Sequence, residues 1–67
     1  MRTYGKLRER IRLYFKTMDD FASTIGLSRS ALSRKLNGSS AWSSSEIETI
    51  CKVLDIPMAL VGEYFFY

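Results

Sequence analysis

The sequence predicts an all-α fold, a compact bundle of four or five short helices forming one domain over residues 1–67. Three observations predict it. Apolar residues recur at three- and four-residue spacing in several short segments. Helix start and stop signals punctuate those segments in the right order. No stretch alternates polar and apolar residues as a half-buried strand would, and there is no internal repeat or low-complexity tract. With 67 residues, 46% of them hydrophobic, the chain supports a single small core.

A first helix is expected from about Tyr4 to Phe15, with Tyr4, Leu7, Ile11, Tyr14 and Phe15 on one inward face. Thr17 is placed to cap a second helix, and Asp19 and Asp20 stand in its first turn, where the helix dipole favours acids. That helix continues through Phe21, Ala22 and Ile25, and Gly26 supplies the left-handed residue that stops it. Leu27 packs back on the core. Ser28 caps a third helix from Arg29 to about Leu36, with Ala31, Leu32 and Leu36 inward. Asn37-Gly38 ends it with two residues that tolerate positive φ.

The polar segment "SSAWSSS" reads as an ordered loop with Trp42 folded onto the core. Ser43 with Glu46, or Ser45 with Glu48, has the spacing of a capping box. The fourth helix then carries Ile47, Ile50, Cys51, Val53 and Leu54. Asp55-Ile56-Pro57 reads as a stop and a new start. A last short helix is expected to use Met58, Leu60 and Val61.

Composition narrows the function. Cys51 is the only cysteine and there is no His, which argues against a zinc site, a Cys–His nucleophile and an intrachain disulfide. No nucleophile–base pair or metal-ligand cluster is in view, so the chain is not expected to be an enzyme or to need a cofactor. The free thiol fits a reducing, cytoplasmic location. No apolar run approaches a membrane span, and the charged opening "MRTYGKLRERIRLYFK" does not read as a secretory signal.

The formal charge of +3 is unevenly laid out. Six Lys/Arg stand against one Glu through Lys16, while four acids stand against one Lys from Glu46 onward. Such a layout fits a basic face for a polyanion, and equally a solvated helix surface.

The stretch "FASTIGLSRSALSRKLNG", Phe21 to Gly38, is informative because its second helix carries Arg29, Ser30, Ser33, Arg34 and Lys35 outward with no acid among them. This is the pattern of a helix-turn-helix, whose second helix enters the DNA major groove. The chain resembles the Cro/phage-repressor-type (lambda-repressor-like) helix-turn-helix domains through "TMDDFASTIGLSRSALSRKLNG" followed by a loop and "EIETICKVLDI". The resemblance covers about Leu7 to Ile56, with Ala22, Gly26, Ser28, Leu32 and Asn37-Gly38 in the family's places. Where that family often has Gln at the start of its second helix, this chain has Met18.

The resemblance implies a sequence-specific, double-stranded-DNA-binding transcriptional regulator of phage or prophage type, with no small-molecule ligand. By position, Arg29, Ser30, Ser33 and Arg34 would face base edges. Ser28, Lys35, Asn37 and Ser39 would hold phosphates, with Arg8 and Arg12 as additional phosphate contacts. One recognition helix reads few base pairs, so a homodimer on a palindromic operator is expected. Val61, Tyr64, Phe65, Phe66 and Tyr67 are the expected dimer surface, since so many terminal aromatics exceed what a small core takes. A protein-interaction module, an antitoxin or anti-repressor partner using this aromatic tail, is the alternative.

Overall fold

In the computed structural model, which describes residues 4–66, five α-helices surround one core. They are α1 (Gly5–Tyr14), α2 (Met18–Ile25), α3 (Arg29–Leu36), α4 (Ser44–Val53) and α5 (Val61–Phe65), with a 3-10 turn at Met58–Leu60 leading into α5. No strand occurs among the described residues.

The helix starts follow local chemistry. The Thr17 hydroxyl accepts from the Asp20 amide at 3.1 Å and opens α2. Ser28 does the same for α3 through the Ala31 amide. At α4 the capping box forms from Ser43 and Glu46. Each such cap stabilises its helix by about 1 kcal/mol.

The stops share one device. At the end of α2, Gly26 has φ 79°, its amide donates to Ser23 O, and the Leu27 amide donates to Ala22 O at 2.9 Å. At the end of α3, Gly38 has φ 82° and the Ser39 amide donates to Arg34 O. At the end of α4, Asp55 takes the left-handed conformation with φ 53°, and the Ile56 amide donates to Cys51 O. This is the Schellman arrangement, which satisfies last-turn carbonyls; at the first and third stops the residue that follows is apolar, half-buried Leu27 and buried Ile56. The sequence pointed to all three stops, the third as Asp55-Ile56-Pro57. It missed the left-handed role of Asp55, a residue type that tolerates that region. Asn37, expected to share it, stays right-handed with φ −89°.

The core joins Leu7 and Ile11 of α1, Phe21 and Ala22 of α2, Leu32 and Leu36 of α3, and Ile50, Cys51 and Leu54 of α4 to Ile56 and Phe65. Fully burying each large apolar side chain contributes about 1.5–3 kcal/mol. Trp42 is half-buried between edge-on contacts with Tyr4 and Phe65. Its Nε1 is enclosed without a partner among the described residues, a cost set against those ring contacts. Burial pushes the Cys51 thiol above its ordinary 9.0, as for an inert core thiol.

Several inward and outward assignments change. Tyr14 lies on the surface, its ring beneath the Arg10 guanidinium at 5.2 Å. Met58 and Leu60 are exposed rather than inward. The aromatic that anchors the last helix is Phe65, 1% exposed. The expectation of Phe65 on an open dimer surface is therefore corrected: α5 packs on α1, and Phe65 fills the space beside Trp42. Val61 and Tyr64 are half-buried against the core, and Phe66 is exposed. Tyr67 lies outside the described residues.

No side chain stands within 4 Å of where a Cβ on Gly26 would sit, so only its left-handed backbone demands glycine. Gly26→Ala is expected to lower unfolding free energy by about 1–2 kcal/mol, and Gly26→Asn by less. Urea denaturation of the three proteins tests this; equal midpoints would argue against the left-handed stop.

Candidate nucleic-acid interface

The α2–Gly26–α3 unit is built so that α3 shows one face to the core and one to solvent. Leu32 and Leu36 point inward at helical spacing and are fully buried. Ser30, Arg34 and Asn37 lie on the opposite side and are exposed; Ser33, between the two faces, is half-buried. Arg29 and Ser28 are exposed at the N-terminal end, and Ser39 is exposed just past the C-terminal end. Seven of the expected DNA-facing residues thus gather along one side and the two ends of a single helix.

Lys35 does not join them, which corrects its expected place at a phosphate. Its side chain is 15% exposed and turns toward α4. Nζ donates to Ala41 O at 2.8 Å and to Glu46 Oε1 at 3.0 Å, and stands 5.7 Å from the Trp42 ring centroid. Glu46 Oε1 also accepts from the Ser43 amide at 2.8 Å, closing the capping box of α4. One ammonium therefore ties α3, the intervening loop and the start of α4 together. Nothing in the residue spacing marks this role, because Lys35 and Arg34 look alike until α4 is placed beside α3.

Burial pushes the Glu46 carboxyl up, but the Ser43 amide, the hydrogen bond and charge of Lys35 and the Ser43 side chain outweigh it. The net effect holds the carboxyl below its ordinary 4.5.

Arg8 and Arg12 part ways. Arg8 Nη2 donates to Leu36 O at 3.0 Å and to Asn37 Oδ1 at 3.1 Å, so this guanidinium caps the carbonyl end of α3. Arg8 is thus a support of α3, an engagement that its expected place at a phosphate did not include. Arg12 is exposed. Arg10, not singled out in the sequence, caps α4 by donating to Leu54 O and Asp55 O at 2.9 and 2.7 Å.

Sequence reasoning also missed an acid at the front of the site. Asp19 Oδ1 lies 3.3 Å from Arg29 Nε, joining the first turn of α2 to the first residue of α3. Asp19 was legible only as a helix-start acid, because its reach depends on how α2 crosses α3.

Away from α3, two shallow grooves of about 240 and 330 Å³ open on the surface. The first lies between α1 and α5 and includes Leu13, Leu60 and Tyr64 with Lys6, Arg10, Glu9 and Glu63. Lys6 and Glu63 pair across it at 2.8 Å. Among the described residues no group of three or more His, Cys, Asp or Glu could hold a metal ion, and no helix is long and apolar enough to cross a membrane.

The model of one protein family matches the chain over residues 2–67, with the description "Protein of unknown function (DUF739)". No curated protein matches it.

The depressed Glu46 pKa carries a stability consequence. The folded value lies below the unfolded one, so the contribution is present above about pH 4.5 and is lost as pH falls through the folded value. At neutral pH Glu46→Gln is expected to cost about 1 kcal/mol, discounted for partial exposure. Melting curves from pH 7 to pH 3 check this: the gap between wild type and variant should close below about pH 4.5.

Proposed function

This chain belongs to DUF739, a family whose description names no activity, and we propose that it is a sequence-specific double-stranded-DNA-binding transcriptional regulator. The observation that carries this reading is the α2–Gly26–α3 unit, with Arg29, Ser30 and Arg34 of α3 exposed to solvent. The core holds α3 from one side, Arg8 holds its carbonyl end and Lys35 its flank, so a rigid helix is offered to the major groove. This supports kinship with the lambda-repressor-like helix-turn-helix domains and a phage-type repressor, cytoplasmic, acting by occluding a promoter.

Base contacts fall to Arg29, Ser30, Ser33 and Arg34. Exposed Arg34 would give two hydrogen bonds to guanine O6 and N7. Phosphate contacts fall to Ser28, Asn37, Ser39 and Arg12. The Ser28 hydroxyl already accepts from the Ala31 amide, which leaves its own proton for a phosphate oxygen at the helix N-terminus.

Dimerisation on a palindrome remains part of the proposal, with a revised surface. Phe65 drops out; Tyr64 and exposed Phe66 stay, and exposed Leu13 and Leu60, which line one groove with Tyr64, are added. The same apolar surface is what favours a second reading, a module that docks another protein. Removing the residues after Glu63 would delete the core anchor Phe65, so self-association is better tested by sedimentation equilibrium of Leu13→Glu and Phe66→Ser.

Selection from random duplex DNA tests the function itself. An enriched palindrome with half-sites about ten base pairs apart supports a dimeric regulator. No enrichment by folded protein favours the protein-docking reading. Arg34→Ala is expected to lose about 1–3 kcal/mol on the selected site and to relax one base position. Lys35→Ala should lower the melting temperature while leaving the slope of log K against log salt unchanged. Loss of a true phosphate contact would instead reduce that slope by about 0.9.

A further inference from the structure

We infer that Asp19 is a specificity-determining residue that acts through Arg29, holding its guanidinium for a base and away from the phosphates. The inference rests on the DNA-binding reading above. Asp19 Oδ1 sits 3.3 Å from Arg29 Nε, between the first turn of α2 and the first residue of α3. Arg29 carries five donors in a rigid fork. With the Nε edge turned to the carboxylate, the two terminal nitrogens remain as the paired donors that a guanine edge accepts.

Stability does not explain the pair. Its side chains are 53% and 75% exposed, and ion pairs in that setting contribute little to folding. The pair becomes consequential when water is displaced from it, which in the proposed complex happens on the duplex. An unpaired acid at the N-terminal end of a recognition helix would repel the DNA backbone. Paired with Arg29, Asp19 instead cancels the charge with which Arg29 would otherwise seek any phosphate. Its expected signature therefore has two opposite signs: tighter binding to arbitrary DNA when Asp19 is removed, and weaker discrimination at one base pair.

Asp20 provides the control. It stands in the same first turn, with its amide on Thr17, and shares the favourable place at the helix dipole. A merely structural role for Asp19 would be matched by Asp20.

The experiment measures binding of wild type, Asp19→Ala, Asp19→Glu, Asp20→Ala, Arg29→Ala and the Asp19→Ala/Arg29→Ala double variant. Each is titrated with the wild-type selected duplex, its single-base variants and a scrambled duplex. Asp19→Ala should reduce discrimination about fivefold or more at the position that Arg29→Ala also relaxes, and bind scrambled DNA more tightly. Asp19→Glu should recover part of the discrimination, and the double variant should discriminate no worse than Arg29→Ala. An equal effect on all sequences, the same result from Asp20→Ala, or a loss at a base pair unrelated to Arg29 overturns the inference while leaving the regulator reading standing. A folded wild type that selects no duplex sinks both.

Discussion

Short helices leave a large share of their backbone carbonyls without an intrahelical partner, and the way this chain satisfies them sets much else about the structure. The last four carbonyls of any helix are orphaned, which is half of an eight-residue helix such as α3. The left-handed residues Gly26, Gly38 and Asp55 redirect the chain so that following amides bond back. Two arginines of α1 complete the work, Arg8 on the end of α3 and Arg10 on the end of α4. Positive charge at helix C-termini is favoured by the helix dipole as well as by the hydrogen bonds. One helix thus fixes two others, and α3 keeps its position without lending its outer face to the fold.

This changes the meaning of the basic segment that ends at Lys16. Its charge excess suggested a face for a polyanion, yet Arg8 and Arg10 are bound to backbone carbonyls and Lys6 is paired with Glu63. Much of the local positive charge holds the bundle together. Arg12 and Lys16 near the N-terminus and Arg34 of α3 are exposed, while Arg29 is tempered by Asp19.

Arg34 and Lys35 show how a single step along a helix separates a solvent-facing side chain from one bound into the fold. Successive residues are turned by about 100°, so one side chain points to solvent while its neighbour meets α4. Lys35 reaches a carbonyl, a carboxylate and an indole, and its compact ammonium fits that enclosed spot. The loop it closes carries Trp42 onto Phe65, which in turn anchors α5. The terminal aromatics are therefore divided: Phe65 belongs to the core, while exposed Phe66 belongs to the surface available for association.

By itself the sequence determined the features that depend on neighbours within about four residues. The caps at Thr17 and Ser28, the glycine stops and the bounds of α3 followed from hydrogen bonds that a residue makes to its own segment, and the cap of α4 was narrowed to Ser43 or Ser45. The inward set Leu7, Ile11, Phe21, Leu32 and Ile50 followed from helical periodicity. So did the outward placing of Ser30 and Arg34. Tertiary structure alone decided the fates of long, flexible side chains and of the last short helix. Lys35, Arg8, Arg10 and Asp19 each bond to a group distant along the chain, so their roles depend on how helices cross rather than on spacing. Phe65 was misplaced for a related reason: a five-residue helix offers too little periodicity to mark its buried side. Only the gap beside Trp42 selected which aromatic would fill it.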